Sequence, residues 1–335
     1  MTLVVHAPNI HIGGGRTLLL GLLSKLKQPA VVQIDKRLEP LPVLEPYVRV
    51  IRVAPSLFAR LQAELRLRSL CQSEDVLLCF GNLPPLFRND ARVYVYLQNR
   101  YLTGSRTLLG LPWSARLRIH IERLWLRHCL RNATPLVQTE TMSLEVLERF
   151  GRAARVLPFV CGDIQIPTVR PAIMYDYVYV ASGEPHKNHH RLLQAWILLA
   201  DRGLRPSLCL TLDTERDAEL CAWVEELARR HGLRIANKSF PPGQISGLYA
   251  QCGVLIYPSL FESFGLPLLE ARQAGLPIIA AELDYVRDIV EPVVSFDPES
   301  ALSIARAVMR YQGEAVEPSM PPDAASFLLQ LTELG

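Results

Sequence analysis

The sequence predicts an α/β protein built as two parallel-sheet domains, and three observations carry that reading. Short apolar runs alternate with stretches of helical period almost throughout, the pattern of parallel sheets flanked by helices. The 335 residues suit two domains of roughly 150. Charge is also divided: residues 1–160 hold 22 Lys+Arg against 11 Asp+Glu and the remainder 14 against 22, so balances of +11 and −8 lie behind a net charge of +3. Such asymmetry marks two domains, one of them facing an anionic partner such as nucleic acid, a membrane surface or a phosphorylated substrate.

In chain order, strands are expected at 3–7, 30–34, 48–53, 76–80, 93–97 and 136–139, with helices at 16–26, 57–71, 114–130 and 143–150. The runs at 76–80 and 93–97 are continuously apolar, as strands buried on both faces are. Prolines at 158, 167 and 171 then interrupt the pattern, dividing an N-terminal domain (1–160) from a C-terminal domain (161–315). Alternation resumes with strands at 177–181, 207–212, 234–236, 254–257 and 278–280 and helices at 189–200, 216–230, 245–251, 268–274 and 302–311. A last helix is expected at 324–334, within a terminal segment 316–335.

Composition sets limits on the class. With 49% hydrophobic and 21% charged residues the chain is neither disordered nor collagen-like. No apolar run approaches the ~18 residues of a membrane span, and residues 1–6 read as no secretory signal. Seven scattered cysteines without a CxxC pair suggest reduced thiols in the cytoplasm and argue against structural zinc.

Ligands of such sheets bind beyond the carboxyl ends of the strands, which selects three segments. The richest runs Tyr257-Pro-Ser-Leu-Phe-Glu-Ser-Phe-Gly-Leu-Pro-Leu-Leu-Glu. Glu262 falls in its loop and Glu270 in the first turn of the helix that Pro267 opens. Paired carboxylates suit the vicinal hydroxyls of a ribose or hexose, and the N–H groups of Phe264, Gly265 and Leu266 suit an anion. A helix-capping acid plus a surface acid is the alternative. The second segment, Ala181-Ser-Gly-Glu-Pro-His-Lys-Asn-His-His, puts Lys187 and Ser182 at a helix start that Asn188 can cap. A phosphate there would offset the unfavourable placement of a lysine at a helix N-terminus. His186, His189 and His190 read as surface or packing residues. The third segment, Ile12-Gly-Gly-Gly-Arg-Thr, lets backbone approach a ligand but matches neither a dinucleotide fingerprint nor a P-loop.

The second and first segments together closely resemble the family 4 retaining glycosyltransferases. The motif from Glu262 to Glu270 with the intervening Phe-Gly-Leu-Pro, preceded by Pro258-Ser259, is similar to that family's signature. Pro185-His-Lys-Asn is similar to its phosphate-binding turn. The resemblance implies a GT-B fold: two Rossmann-like domains across a cleft, with a C-terminal helix crossing back to the N-terminal domain. It implies a UDP- or GDP-linked nucleotide-sugar donor, retention of anomeric configuration, no cofactor and no obligatory metal. In that family's terms Glu270 binds the donor ribose and Glu262 holds the transferred sugar. Lys187 neutralises the leaving diphosphate, Gly265 and Leu266 contact phosphate or sugar through N–H groups, and Gly14 and Gly15 approach from the opposite domain. Two positions depart from the family: Ser182 stands where many members have an arginine, with Arg16 as a candidate replacement. Gln98 or Asn99 stands where many have a histidine, with Gln98 expected to keep a hydrogen bond to the sugar.

In the basic half, residues 113–132 bring Arg116, Arg123, Arg127 and Arg131 toward one face, and Leu117, Ile121, Leu124 and Trp125 are expected to fill the core-facing side. A second basic stretch spans residues 60–68. An arginine-rich helix with tryptophans suits a peripheral membrane surface, and so do the bilayer-anchored acceptors of many family members. A core helix with a solvated charged face is the alternative. Nucleic-acid-binding signatures are absent, so no nucleic-acid partner is expected. The expected function is transfer of a sugar to a lipid-linked, lipopolysaccharide or polysaccharide acceptor on the inner face of the cytoplasmic membrane. A non-catalytic sugar-binding protein of the same fold and a sugar-nucleotide epimerase are the competing readings.

Overall fold

A computed structural model describes residues 1–104, 108, 111–159, 172–238 and 245–314. The first sheet takes its strands from β1 (Leu3–Ala7), β2 (Ala30–Asp35), β3 (Val48–Val53), β4 (Val76–Cys79), β5 (Arg92–Tyr96), β6 (Thr134–Val137) and β7 (Arg155–Val156). Its helices are α1 (Gly13–Ser24), α2 (Leu57–Leu70), α3 (Arg100–Thr103), α4 (Trp113–Cys129) and α5 (Glu140–Phe150). All strands run parallel in the order β3-β2-β1-β4-β5-β6-β7. The order reverses between β1 and β4, which opens a crevice at their carboxyl ends.

The crossovers through α2, α4 and α5 all progress toward β7, while α1 leads back from β1 to β2. Right-handed connection therefore places α1 alone on one face and the other three helices on the opposite face. The packing agrees. Leu18, Leu19 and Leu23 of α1 join one core cluster, and Leu67, Ile119, Leu126, Met142 and Val146 join another.

The second sheet comprises β8 (Tyr175–Tyr179), β9 (Leu208–Leu210), β10 (Ile235–Asn237), β11 (Cys252–Tyr257), β12 (Ile278–Ala281) and β13 (Val294–Phe296). It is likewise parallel, ordered β10-β9-β8-β11-β12-β13, with its own switch between β8 and β11. Its helices are α6 (His189–Ala200), α7 (Ala218–His231), α8 (Ile245–Ala250), α9 (Leu266–Gln273), α10 (Asp284–Arg287) and α11 (Ala301–Tyr311). One continuous cluster around Trp196, Tyr177, Tyr249 and Ile256 forms the core of this half.

Several boundaries move for local reasons. Thr139 ends no strand: its hydroxyl accepts the Met142 N–H at 3.2 Å and caps α5, which starts at Glu140. The glycine run begins α1 instead of preceding it, so Arg16 lies in the first turn. On α4 the expected orientation is reversed. Ile119 and Leu126 face the sheet, whereas Leu117, Ile121 and Leu124 are 45%, 54% and 56% exposed. The helix carries two apolar stripes, and Arg123 lies beside the buried one, where its guanidinium donates to the carbonyls of Tyr101 (2.7 Å) and Gly104 (3.3 Å). Arg123 thus leaves the solvated set, and Trp125 is half-buried with its indole N–H on the Pro84 carbonyl at 3.0 Å. Among the described residues the cysteines are free, and no helix is long and apolar enough to cross a membrane. The linker after Phe159, the loop 239–244 and the expected helix at 324–334 lie outside the described residues, as does Cys161.

Candidate active site

Strand β11 ends at Tyr257, and the loop beyond it carries Glu262 to the N-terminus of α9. Gly265 caps that helix at φ +66°, a left-handed conformation that favours glycine, and Pro267 sits in its first turn. From neighbouring β8, a 3-10 turn at Pro185–Lys187 delivers Lys187 to the same place. The Lys187 ammonium donates to Glu262 Oε1 at 2.6 Å, the two side chains being 16% and 11% exposed. The hydroxyls of Ser259 (2.7 Å) and Tyr257 (3.0 Å) donate to that same oxygen. A largely buried ion pair is tolerable only with such additional hydrogen bonds. Among the described residues Glu262 Oε2 has no partner, so one oxygen is anchored while the other is available.

Asn188 occupies the cap position of α6, but its side chain does not cap. At φ +65° its carboxamide donates to the carbonyls of Pro258 (3.1 Å) and Pro298 (2.8 Å), tying the lysine turn to the glutamate loop. Gly183 in the same turn packs so closely on Asp217 that a Cβ would sit 2.7 Å from its carboxylate.

Glu270 lies in the second turn of α9, not the first, because the helix already begins at Leu266. Four residues apart, Leu266 and Glu270 share one side of the helix. The Tyr249 hydroxyl donates to the Glu270 carboxylate at 2.9 Å. Burial pushes the Glu270 carboxyl above its ordinary value, and this hydrogen bond opposes the shift only in part. Phe264 turns its ring into the core of the second domain.

Across the cleft the first domain supplies the opposing wall. A Cβ on Gly14 would sit 3.4 Å from Leu266 Cδ1, and one on Gly15 would sit 3.5 Å from Gln98 Oε1. Glycine at these positions lets α1 approach both α9 and Gln98. Gln98 is fixed by its own Nε2–H donating to the Phe80 carbonyl at 2.8 Å and by its backbone N–H donating to Asn82 Oδ1 at 2.5 Å. Its Oε1 is buried without a partner among the described residues. An orphaned acceptor buried in a cleft is short of one donor.

Two expected groups are engaged elsewhere. The Ser182 hydroxyl donates to the Glu184 carboxylate. Arg16 donates to the Glu39 carbonyl at 2.8 Å on the exposed side of α1, so it does not replace the charge missing at Ser182. A further cation beside Lys187, one that the sequence does not single out, reaches the cleft from the first domain. Arg100 pairs with Glu145 at 2.7 Å, donates across the domains to the Glu262 carbonyl at 3.3 Å and lies 4.9 Å from the centre of the Phe261 ring. Tyr101 packs on the other contact of that ring, at 4.8 Å. Arg100, Glu145, Phe261 and Asp284 border an interdomain cavity of about 280 Å3. The one available signal was position, since Arg100 follows Gln98 and Asn99 at the end of a buried strand.

The histidines pack, as expected. His190 packs at a tilt against Trp223, ring centres 4.2 Å apart, and His189 is buried against Tyr179 at 4.9 Å. Burial pushes His189 down to about 4, Asp217 opposing and Lys187 reinforcing that shift. Among the described residues no group of three or more His, Cys, Asp or Glu side chains is placed to hold a metal ion.

Residues 173–312 match the family Glycosyl transferases group 1. The second domain is a group 1 glycosyl transferase domain. Over 135 residues (40% of the chain) it is 28% identical to O-antigen chain mannosyltransferase B of Escherichia coli, covering 35% of that protein. Over 138 residues (39% of the chain) it is 33% identical to the E. coli serotype-specific mannosyltransferase WbdA, covering 16% of it. The match thus spans about a third or less of each relative's length. Among solved structures, Anabaena HepE in complex with UDP-glucose superposes with a TM-score of 0.68 at 16% identity, over 92% of this chain and 89% of that one. Sucrose-phosphate synthase of Thermosynechococcus elongatus gives 0.66 at 17%, over 93% and 89%. These likenesses extend over both sheets and show the GT-B fold, with the transferase domain as its second half.

Proposed function

We propose that the protein is a retaining glycosyltransferase that moves a sugar from a UDP- or GDP-linked donor to a lipid-linked, lipopolysaccharide or polysaccharide acceptor. The observation that carries this reading is the Lys187–Glu262 pair at 2.6 Å, set before the N-terminus of α9 in the transferase domain, in a loop that Arg100 of the first domain reaches. The mannosyltransferase names of the E. coli relatives and the UDP-glucose held by HepE support it.

In this reading the diphosphate lies against the start of α9. Lys187 and the N–H groups of Phe264, Gly265 and Leu266 stabilise charge as it develops on the leaving group, the largest effect a preorganised site offers. No metal or cofactor is invoked. Glu262, held through Oε1, turns Oε2 to the sugar hydroxyls and to the positive charge building at the anomeric carbon. Glu270 accepts from the ribose hydroxyls, relieving a buried acid that has one neutral donor. Gln98 Oε1 accepts from a sugar hydroxyl, Gly14 and Gly15 admit the donor, and Ser182 lines the turn through Glu184. The acceptor is approached from the first domain, at the inner face of the cytoplasmic membrane.

Thermal unfolding with UDP, GDP, dTDP and their sugars tests the donor reading. One nucleotide is expected to stabilise the chain by about 2.7 kcal/mol at a hundredfold excess over its Kd. If none shifts Tm, the reading fails. The departure at Ser182, which puts the Glu184 carboxylate into the phosphate turn, favours a second reading: a protein that binds a nucleotide sugar without turning it over. Donor consumption during such binding separates the two.

A further inference from the structure

A helix as short as α3 does not hold itself in water, and its neighbours in the first domain fix it. At its start the Asn99 carboxamide oxygen accepts the Tyr101 N–H at 3.1 Å. At its end Arg123 of α4 donates to the Tyr101 carbonyl at 2.7 Å. Arg149 of α5 donates to the Thr103 carbonyl at 2.7 Å and to that of Gly104. Glu145 of α5 accepts the Thr103 hydroxyl at 2.8 Å through one carboxylate oxygen and Arg100 Nε at 2.7 Å through the other. Two longer helices thus lock one short helix in place.

What α3 holds out is directed at the other domain. Arg100 donates from Nη1 to the Glu262 carbonyl and lies over the Phe261 ring. Tyr101 contacts that ring too, and meets the His186 ring edge-on at 6.2 Å. Phe261 and Glu262 are consecutive in the loop after β11, and His186 precedes Lys187 in the turn after β8. One short helix therefore touches both segments that carry the buried ion pair. Those segments are joined to each other as well, by the Leu260 N–H and the Ser259 hydroxyl donating to the His186 carbonyl at 2.8 and 3.2 Å. The Arg100 and Glu145 side chains are only 14% and 16% exposed, so the guanidinium has its counter-ion beside it and little competing water.

Lys187, Tyr257 and Ser259 all grip one carboxylate oxygen of Glu262. Bonds that meet at one atom leave the carboxylate able to pivot about that atom. The direction of Oε2 is then set by where the backbone of residue 262 is held, and Arg100 holds it from the opposite domain. We propose that Arg100 is a positioning residue: by donating to the Glu262 carbonyl it fixes the direction of Glu262 Oε2 from across the cleft. The inference rests on the preceding reading, in which Oε2 meets the transferred sugar. It adds a division of labour, the transferase domain holding the acid and the first domain aiming it.

Calorimetric titration of the full chain with UDP, UDP-glucose, GDP and GDP-mannose tests it, read as the affinity ratio of a sugar nucleotide to its nucleotide for the pair that binds. Arg100→Met keeps apolar contact with Phe261 and removes the donor. Its nucleotide Kd is expected within about twofold of the parent's while the ratio falls ~10-fold, the scale of one lost hydrogen bond to a charged group. In a Glu262→Ala background the same substitution should move the ratio less than about twofold, because no acid remains to be aimed. Arg100→Met/Glu145→Gln removes both charges and leaves neither buried without its partner, so it should repeat the loss even where the single variant is too unstable to titrate. An unchanged ratio in the folded variants overturns the inference. An equal loss with and without Glu262 also overturns it, since Arg100 would then be a direct ligand of the donor. So does an equal loss for nucleotide and sugar nucleotide, which would reduce Arg100 to a support of the cleft. The donor reading fails by other results: none of the four ligands binds the parent, or Glu262→Ala by itself leaves the ratio unchanged.

Discussion

The two domains share a parallel-sheet plan but treat their apolar surface differently. In the transferase domain one core cluster joins the sheet to the helices on both sides. In the first domain the core is split into clusters on either side of the sheet, and the helices over one of them keep large apolar side chains outside. Among the described residues beyond 160, the exposed large hydrophobics are Ile173, Met174, Val293 and Tyr311, whereas α2 and α4 alone expose eight. The family match is confined to the transferase domain. One half therefore concentrates buried, hydrogen-bonded charge around Glu262, and the other leaves large apolar side chains on its outer face. Catalytic chemistry needs a dry, preorganised lining, whereas the helices of the first domain leave apolar surface unpacked.

Substitutions can break or sharpen this contrast. The largest effect is expected for Glu262→Ala, which removes the acid held by Lys187, Ser259 and Tyr257. Turnover should fall ~100-fold or more while nucleotide affinity stays within a few-fold, measured as kcat against Kd. An affinity loss as large as the turnover loss would show that Glu262 and Glu270 have exchanged roles.

Next is His189→Phe, a test of the buried lining itself. The folded protein holds His189 near 4, below its ordinary 6.5. Between those values the unfolded chain takes up a proton that the folded one does not, so stability falls as pH drops through the window, by up to about 3 kcal/mol. Phenylalanine keeps the packing on Tyr179 and removes the titration. Urea unfolding at neutral and acid pH should show a smaller acid loss in the variant, and an identical loss in both proteins would refute the assignment.

Glu270→Ala is expected to weaken nucleotide binding by about 2 kcal/mol, the scale of hydrogen bonds to a charged group. Burial raises the Glu270 carboxyl, and its ionised form accepts the ribose hydroxyls. Nucleotide affinity should therefore tighten as pH rises through that elevated value, and calorimetric titrations with Glu270→Gln should lose the dependence. The smallest effect is expected for Leu117→Ser, within about 0.5 kcal/mol of the parent in stability. Destabilisation on the scale of a core substitution would mean that this stripe is packed after all, and the contrast between the domains would collapse.

Much of this was legible in sequence. The strand 3–7 and the helix 189–200 fall where the periodicity put them, because apolar spacing is a local property of the chain. Lys187 and Glu262 were legible too, each following a buried strand into a Gly/Pro turn. Their direct pairing was not, since it depends on β8 and β11 being neighbours. That the Tyr257 and Ser259 hydroxyls would donate to Glu262 was not legible, because a hydroxyl beside a loop acid is common. Arg16 misled because its proximity to glycines in sequence says nothing of the Glu39 carbonyl that captures it.

By itself the sequence determined the alternation of strands and helices, the division into two halves and the chemical types gathered at the strand ends, all of which depend on residues near one another along the chain. Tertiary structure alone decided which stripe of α4 turned inward, that Arg100 would bridge to the Glu262 loop, and that Gln98 would keep one acceptor unpaired. Each of those outcomes depends on groups tens to hundreds of residues away, through packing and hydrogen bonds that no local pattern encodes.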